Sequence, residues 1–174
     1  MNHIYNENGK KQTLEQLLKG DNSKRWSIAL SNELGRLTQG NNTGVTHQNA
    51  IDFIFYHEVP TNNKVTYANF VCDYCHLKDE PWRVQLVVSG NKLTYNFDFG
   101  SQAALLLETK LLFNSVISDT KKGTKFMSLD LKDFFLASLM SKEEYMHISI
   151  KYIPANILKK YKLKKKVHNG YIYC

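Results

Sequence analysis

The sequence predicts an α+β fold in which an antiparallel sheet is packed by helices. Three features carry that expectation. Trp26, Leu30, Leu34 and Leu37 recur at the three- and four-residue spacing of a helix. Val65–Val71 and Arg83–Val88 are short runs rich in aromatic and β-branched residues, as strands are. Between Lys125 and Met146 the chain first alternates with a two-residue period and then changes to helical spacing. With 174 residues and 43% hydrophobic content, the chain suits one domain, or a substantial part of one, with a buried core.

Taken in order, the first dozen residues are polar and expected to be loose. Thr13 to Leu18 reads as a short helix, with Leu14, Leu17 and Leu18 on one face and Gly20 past its end. Asp21, Asn22 and Ser23 offer caps for the helix that carries the Trp26 stripe, which Gly40 closes. Gly40 to Gly44 is turn-rich and contains an N-x-T sequon at Asn41, of consequence only in a secreted protein.

Ile51–Tyr56 and Val65–Val71, with Pro60-Thr61-Asn62-Asn63 between them, read as a hairpin, and Arg83–Val88 as a third strand. Ser101 caps a long helix running through Ile117 with a broad apolar face, expected to back the sheet. Ser141-Lys142-Glu143-Glu144 has the form of a capping box, but the alternation of Tyr145–Ile150 favours a turn followed by a strand.

Lys and Arg number 23 against 16 Asp and Glu, a formal charge of +7 that favours polyanionic partners such as nucleic acid. Six lysines, Lys159, Lys160, Lys162, Lys164, Lys165 and Lys166, fall within ten residues. Such a run reads either as a solvated surface or as a contact to a phosphate backbone. No apolar run approaches the length that spans a bilayer, and the N-terminus lacks a basic-then-apolar signal pattern. An intracellular protein of the cytoplasm or nucleus, with no membrane partner, is expected.

The three cysteines, Cys72, Cys75 and Cys174, are an odd count and too few for a disulfide framework, so reduced thiols are expected. Cys72-Asp73-Tyr74-Cys75-His76 matches the haem-attachment pattern C-x-x-C-H, and the same residues with Cys174 are the material of a zinc site. The first lacks an export signal and the second lacks a further ligand pair.

The stretch from Lys125 to Met146 organises the rest. Phe126, Ser128 and Asp130 alternate with Met127, Leu129 and Leu131; then Phe134, Phe135, Leu139 and Met140 follow at helical spacing. Asp130 stands at the junction. It either caps the helix or presents a carboxylate at the carboxyl edge of a sheet, where α/β proteins place ligands.

S-L-D-L-K-D-F-F-L followed by E-E-Y-M resembles the first catalytic motif of copia-type (long-terminal-repeat) retrotransposon reverse transcriptases. W-S-I-A-L-S-N-E-L-G-R-L resembles the helix that opens those polymerase domains, and K-V-T-Y-A-N-F-V-C-D-Y with W-R-V-Q-L-V-V-S-G resembles their fingers hairpin. The likeness spans roughly Leu14 to Cys174 and is strongest over Lys64–Gly90 and Thr124–Met146. After the polar, flexible segment over residues 1–12, it implies fingers over about 13–100 and the first strands of a palm over about 101–174.

The resemblance also implies roles. Asp130 would be a catalytic, Mg2+-binding aspartate; Lys64 and Arg83 would contact the triphosphate of a deoxynucleoside triphosphate. A sheet surface holds such cations in one orientation better than a loop does. Asp133 and Phe134 would lie in the turn whose backbone amides face the triphosphate. Phe135 would pack under the sugar and exclude the 2′-hydroxyl. The plain alternatives are a solvating Lys64 and a core Phe135. Gln85 and Ser89 depart from the family pattern, standing where it has an arginine and a lysine.

Nucleotidyl transfer uses divalent ions, gathered by two or three aspartates, to activate the primer 3′-hydroxyl and neutralise phosphate charge. The family's template-gripping segment and Y-x-D-D hairpin are not in this sequence, and V-H-N-G-Y-I-Y-C resembles the hairpin that precedes the first of them. The expectation is therefore that this polypeptide does not polymerise alone. Its implied partners are an RNA or DNA template-primer, the nucleotide, and the remaining palm, thumb and RNase H parts of a polyprotein. A non-catalytic nucleic-acid-binding remnant of such a polymerase is the alternative, and a structural remnant without activity is a third reading.

Overall fold

A computed structural model describes residues 4–5, 9–90, 105–127 and 142–174. The chain divides into two compact units, Met1–Thr94 with Leu136–Cys174, and Tyr95–Phe135.

In the first unit, helix α1 (Leu14–Leu17) opens at Thr13, whose amide donates to the Gln16 side chain over 2.9 Å while its own hydroxyl accepts from the Gln16 amide. Helix α2 (Ser23–Leu37) buries Trp26, Ala29, Leu30, Leu34 and Leu37, the stripe expected from spacing. Strands β1 (Val65–Tyr74), β2 (Trp82–Val88), β3 (Tyr145–Ser149) and β4 (Tyr171–Tyr173) form one sheet in the order β2-β1-β3-β4. Helix α4 (Ala155–Lys160) and a 3-10 turn at Leu163–Lys165 lie between β3 and β4 in sequence.

One side of the sheet is the core. Cys72, Val84, Met146, Ile148 and Ile172 cluster there with Trp26, Leu30 and Leu34 of α2 and with Ile157 and Leu163. Trp26 meets Trp82 edge-on, with ring centroids 4.9 Å apart. At the open edge, Glu33 of α2 accepts a hydrogen bond from the Leu86 amide over 3.0 Å, so a side chain occupies a donor that β2 leaves unpaired.

Two expectations need correction. The sheet is mixed: β1 pairs antiparallel with β2, but β3 runs parallel to β1 and β4 antiparallel to β3. A long excursion separates β1 from β3, which is what a same-direction neighbour requires. Second, Ile51–Tyr56 is not the partner strand of β1. Ile54 makes a single bridge to Tyr173, and Tyr56–Glu58 is a 3-10 turn. The turn is held by the Glu58 carboxylate, which accepts from the Phe55 amide. The hairpin is instead β1–β2, closed where the Cys75 amide donates to the Pro81 carbonyl over 2.9 Å. The lysine-rich segment, for which no element was expected, is divided between α4 and a 3-10 turn. Lys162 separates α4 from the following turn with a left-handed φ of 53°.

The V-H-N-G-Y-I-Y-C hairpin forms as expected. Asn169 and Gly170 have φ of 49° and 80°, and His168 and Tyr171 exchange backbone bonds of 2.9 Å, the geometry that favours Asn-Gly.

The second unit contains α3 (Leu106–Ser118), whose Leu105 amide is capped by the Glu108 carboxylate at 2.9 Å. None of its residues is buried. Phe113 and Phe126 are in ring contact at 4.7 Å. The expected strand through Asp130 and the helix after it lie largely outside the described residues.

Candidate nucleic-acid interface

The two-residue period of a strand sends alternate side chains to opposite faces. Since Met146, Ile148 and Ile172 enter the core, Tyr145, His147 and Ser149 of β3 and Tyr171 and Tyr173 of β4 belong to the other face. Pairing places Tyr67 beside His147 and His147 beside Tyr173, so one row across three strands is aromatic. His147 contacts Tyr171 edge-on at 4.6 Å and Tyr173 at 6.0 Å.

The row is extended by residues from outside the sheet. Tyr56 stacks on His168 with centroids 3.9 Å apart and planes within 2°, and it tilts against Tyr173 at 5.1 Å. Tyr56 and Tyr171 keep 49% and 39% of their surface open. Burial, then the neighbouring Tyr56 and Tyr171, raises the Tyr173 hydroxyl above the usual tyrosine range.

Of the six clustered lysines, Lys159, Lys162, Lys164 and Lys165 are exposed. Lys160 and Lys166 have structural partners. Lys160 donates to the carbonyls of Gln39 and Gly40 over 2.6 and 2.9 Å. Lys166 donates to the Phe53 carbonyl and lies 5.0 Å over the Phe55 ring. His147 to Cys174 contains seven lysines and no Asp or Glu. The seventh, Lys151, pairs with Glu15 at 3.0 Å, and the hydrogen bond from Lys151, followed by that from Lys19, holds the Glu15 carboxyl below the usual carboxylate range.

The candidate triphosphate ligands are not brought together. Lys64 immediately precedes β1, whereas Arg83 lies opposite Asp73 near the other end of the hairpin. Nine residue steps separate Lys64 from Asp73, roughly 30 Å at the rise of an extended chain. Arg83 is exposed, and its register puts it on the face away from the core. Asp130, Asp133, Phe134 and Phe135 lie outside the described residues.

The C-x-x-C-H residues are split between core and turn. Cys72 is 5% exposed and burial pushes its thiol up to about 11, while Cys75 sits in the partly exposed hairpin connection. Cys174 is buried too, and its thiol rises to about 12. Among the described residues no group of three or more His, Cys, Asp or Glu could hold a metal ion. No helix among them is long and apolar enough to cross a membrane.

The aromatic row is the site that residue-by-residue reading missed. The alternation in Y-M-H-I-S and Y-I-Y marks one face of each strand, but only the pairing register shows that those faces coincide. Nothing in the sequence links Tyr56 to His168. Comparison of the chain with protein-family models, with curated proteins and with solved structures finds no match.

Proposed function

We propose that this chain is an N-terminal part of an RNA-directed DNA polymerase of the copia-type retrotransposon kind, contributing nucleotide-binding fingers and a first metal-binding aspartate. The observation that carries the reading is S-L-D-L-K-D-F-F-L at Ser128–Leu136, following W-R-V-Q-L-V-V-S-G at Trp82–Gly90 in the order of that family. The antiparallel β1–β2 hairpin, with Arg83 exposed on its outer face, supports it.

In this reading Arg83 supplies a fixed planar cation for a phosphate oxygen, which a guanidinium binds with two parallel donors. Lys64, at the other end of the hairpin, serves a different stretch of polyanion. By the resemblance, Asp133 and Phe134 would present backbone amides to the triphosphate, and Phe135 would set a flat ring against the sugar where a 2′-hydroxyl would collide. Mg2+ bound by Asp130 would supply charge neutralisation at the phosphates.

Photolabelling of the full chain by a radiolabelled deoxynucleoside triphosphate, with primer-template and Mg2+ present, tests the proposal. Labelling is expected, with a drop of about tenfold or more in Arg83→Ala and in Asp130→Asn, as loss of a charge-assisted contact predicts. Absence of labelling, or labelling indifferent to both changes, overturns it.

The lysine-rich segment without carboxylates favours a second reading, a nucleic-acid-binding remnant without nucleotide chemistry. Polynucleotide affinity that falls steeply with salt, in a chain that no nucleotide labels, is its signature.

A further inference from the structure

We infer that Tyr56, His168, Tyr171 and Tyr173 form a stacking platform for single-stranded nucleic acid, with Lys164 and Lys165 beside it to take the phosphates. The inference rests on the polynucleotide reading of the lysine-rich segment and adds a place where bases are held. The first argument is geometric. Tyr171 and Tyr173 leave the same face of β4 two residues apart, a separation of roughly 6.8 Å along an extended strand. His168 stands opposite Tyr171 across the two-residue turn, and Tyr56 already lies parallel to it at 3.9 Å. Flat rings in parallel contact are the arrangement that a nucleobase joins by adding one more layer.

The second argument is exposure. The sheet needs no aromatics on this side to close its core, because Met146, Ile148 and Ile172 fill the other side. Tyr56 and Tyr171 nevertheless keep 49% and 39% of their surface in solvent.

The third is charge. The chain from His147 to Cys174 has no acidic side chain, and Lys164 and Lys165 are exposed in the turn that leads directly to His168. A polyanion is attracted there whatever its class. The rings then select one whose bases are not already stacked on each other, which excludes a duplex.

Fluorescence anisotropy of the full chain with labelled oligo(U) or oligo(dT) of about 12 nucleotides tests the platform, this length lying within the usual site sizes for such surfaces. Single strands are expected to bind at least about tenfold more tightly than a duplex of the same length or a poly-glutamate of matched charge. Tyr56→Ser and Tyr171→Leu are expected to weaken binding about five- to hundredfold, the range found when a base loses a stacking partner. Tyr171→Phe, which keeps the ring, should bind as the parent does.

Trp26 is buried in the core and Trp82 packs edge-on against it, so unchanged tryptophan emission establishes that each variant is folded. Tyr56→Ser lies in an exposed 3-10 turn and keeps the test open if Tyr171→Leu does not fold. Equal affinity for duplex or poly-glutamate, or binding unchanged in both ring-deleting variants, overturns the inference. A chain that takes the nucleotide label without ring-dependent binding loses the platform and keeps the polymerase reading. One that binds through the rings without taking the label does the reverse.

Discussion

The ammonium of Lys160 lies 2.6 Å from the carbonyl oxygen of Gln39, ending α2 with a cation supplied from α4. The Tyr161 hydroxyl completes the contact, its one proton shared between the Gly40 carbonyl at 2.6 Å and the Thr38 hydroxyl at 3.0 Å. A lysine in a basic run is here a tie between distant segments. Lys160→Met should therefore cost about 1.5–3 kcal/mol of stability in urea unfolding, the range for a hydrogen bond that involves a charged group. Its polynucleotide binding should keep the parent's dependence on salt, and a flatter dependence would show that Lys160 faces phosphate after all.

Gly35 sets propensity against packing. In a helix interior, alanine is better than glycine by about 1 kcal/mol. A Cβ at Gly35, however, would come within 2.8 Å of Asn41 Cβ and Cγ. Asn41 cannot yield, because its side-chain amide donates to the Ser31 carbonyl and hydroxyl, each over 3.1 Å, and its oxygen accepts from the Thr43 amide over 3.1 Å. Gly35→Ala is expected to destabilise by about 1–3 kcal/mol, the usual cost of overpacking. A rise in thermal midpoint would show that the loop gives way.

The buried thiols predict both reactivity and a pH limit. Cys75 is expected to take up iodoacetamide first, while Cys72 and Cys174 stay unmodified until denaturant is added, as peptide mass spectrometry would show. Burial raises Cys174 from an ordinary 9.0 to about 12, so the folded state holds its proton more tightly than the unfolded state does. That contribution is whole below pH 9.0 and is lost progressively as pH rises toward about 12. Urea midpoints should fall across that window, and less steeply in Cys174→Ala.

Lys164 and Lys165 are exposed, whereas Lys160 and Lys166 donate to backbone carbonyls. Replacing both with glutamine should flatten the plot of log affinity against log salt for a single strand by about 1.4, since each phosphate contact contributes about 0.7. An unchanged slope would place the phosphates elsewhere.

How much of this was legible depends on the range of the interaction. The Trp26 stripe of α2 and the Asn169-Gly170 turn are written in spacing and local conformation, and both appear as expected. Ile51–Tyr56 has strand composition, yet Glu58 capping Phe55 and the burial of Phe53 bend it into a turn. Composition cannot tell a strand from an extended segment that makes one bridge. The parallel pairing of β1 with β3, the division of the lysine run and the convergence of Tyr56 on His168 all depend on residues distant in sequence. No local pattern encodes them. Arg83 was legible as an exposed strand cation, but its separation from Lys64 follows only from which strand β1 takes as its partner.

The place of β4 bears on how the molecule is made. Met146 and Cys174 exchange backbone bonds of 2.8 and 3.0 Å, and Ile54 leans on Tyr173. Until that strand has left the ribosome, β3 lacks one of its two neighbours and the Ile54 amide lacks its acceptor. Sheet closure thus joins segments far apart in the chain, Ile54 with Tyr173 and β1 with β3, a step of high contact order that is slow for its size.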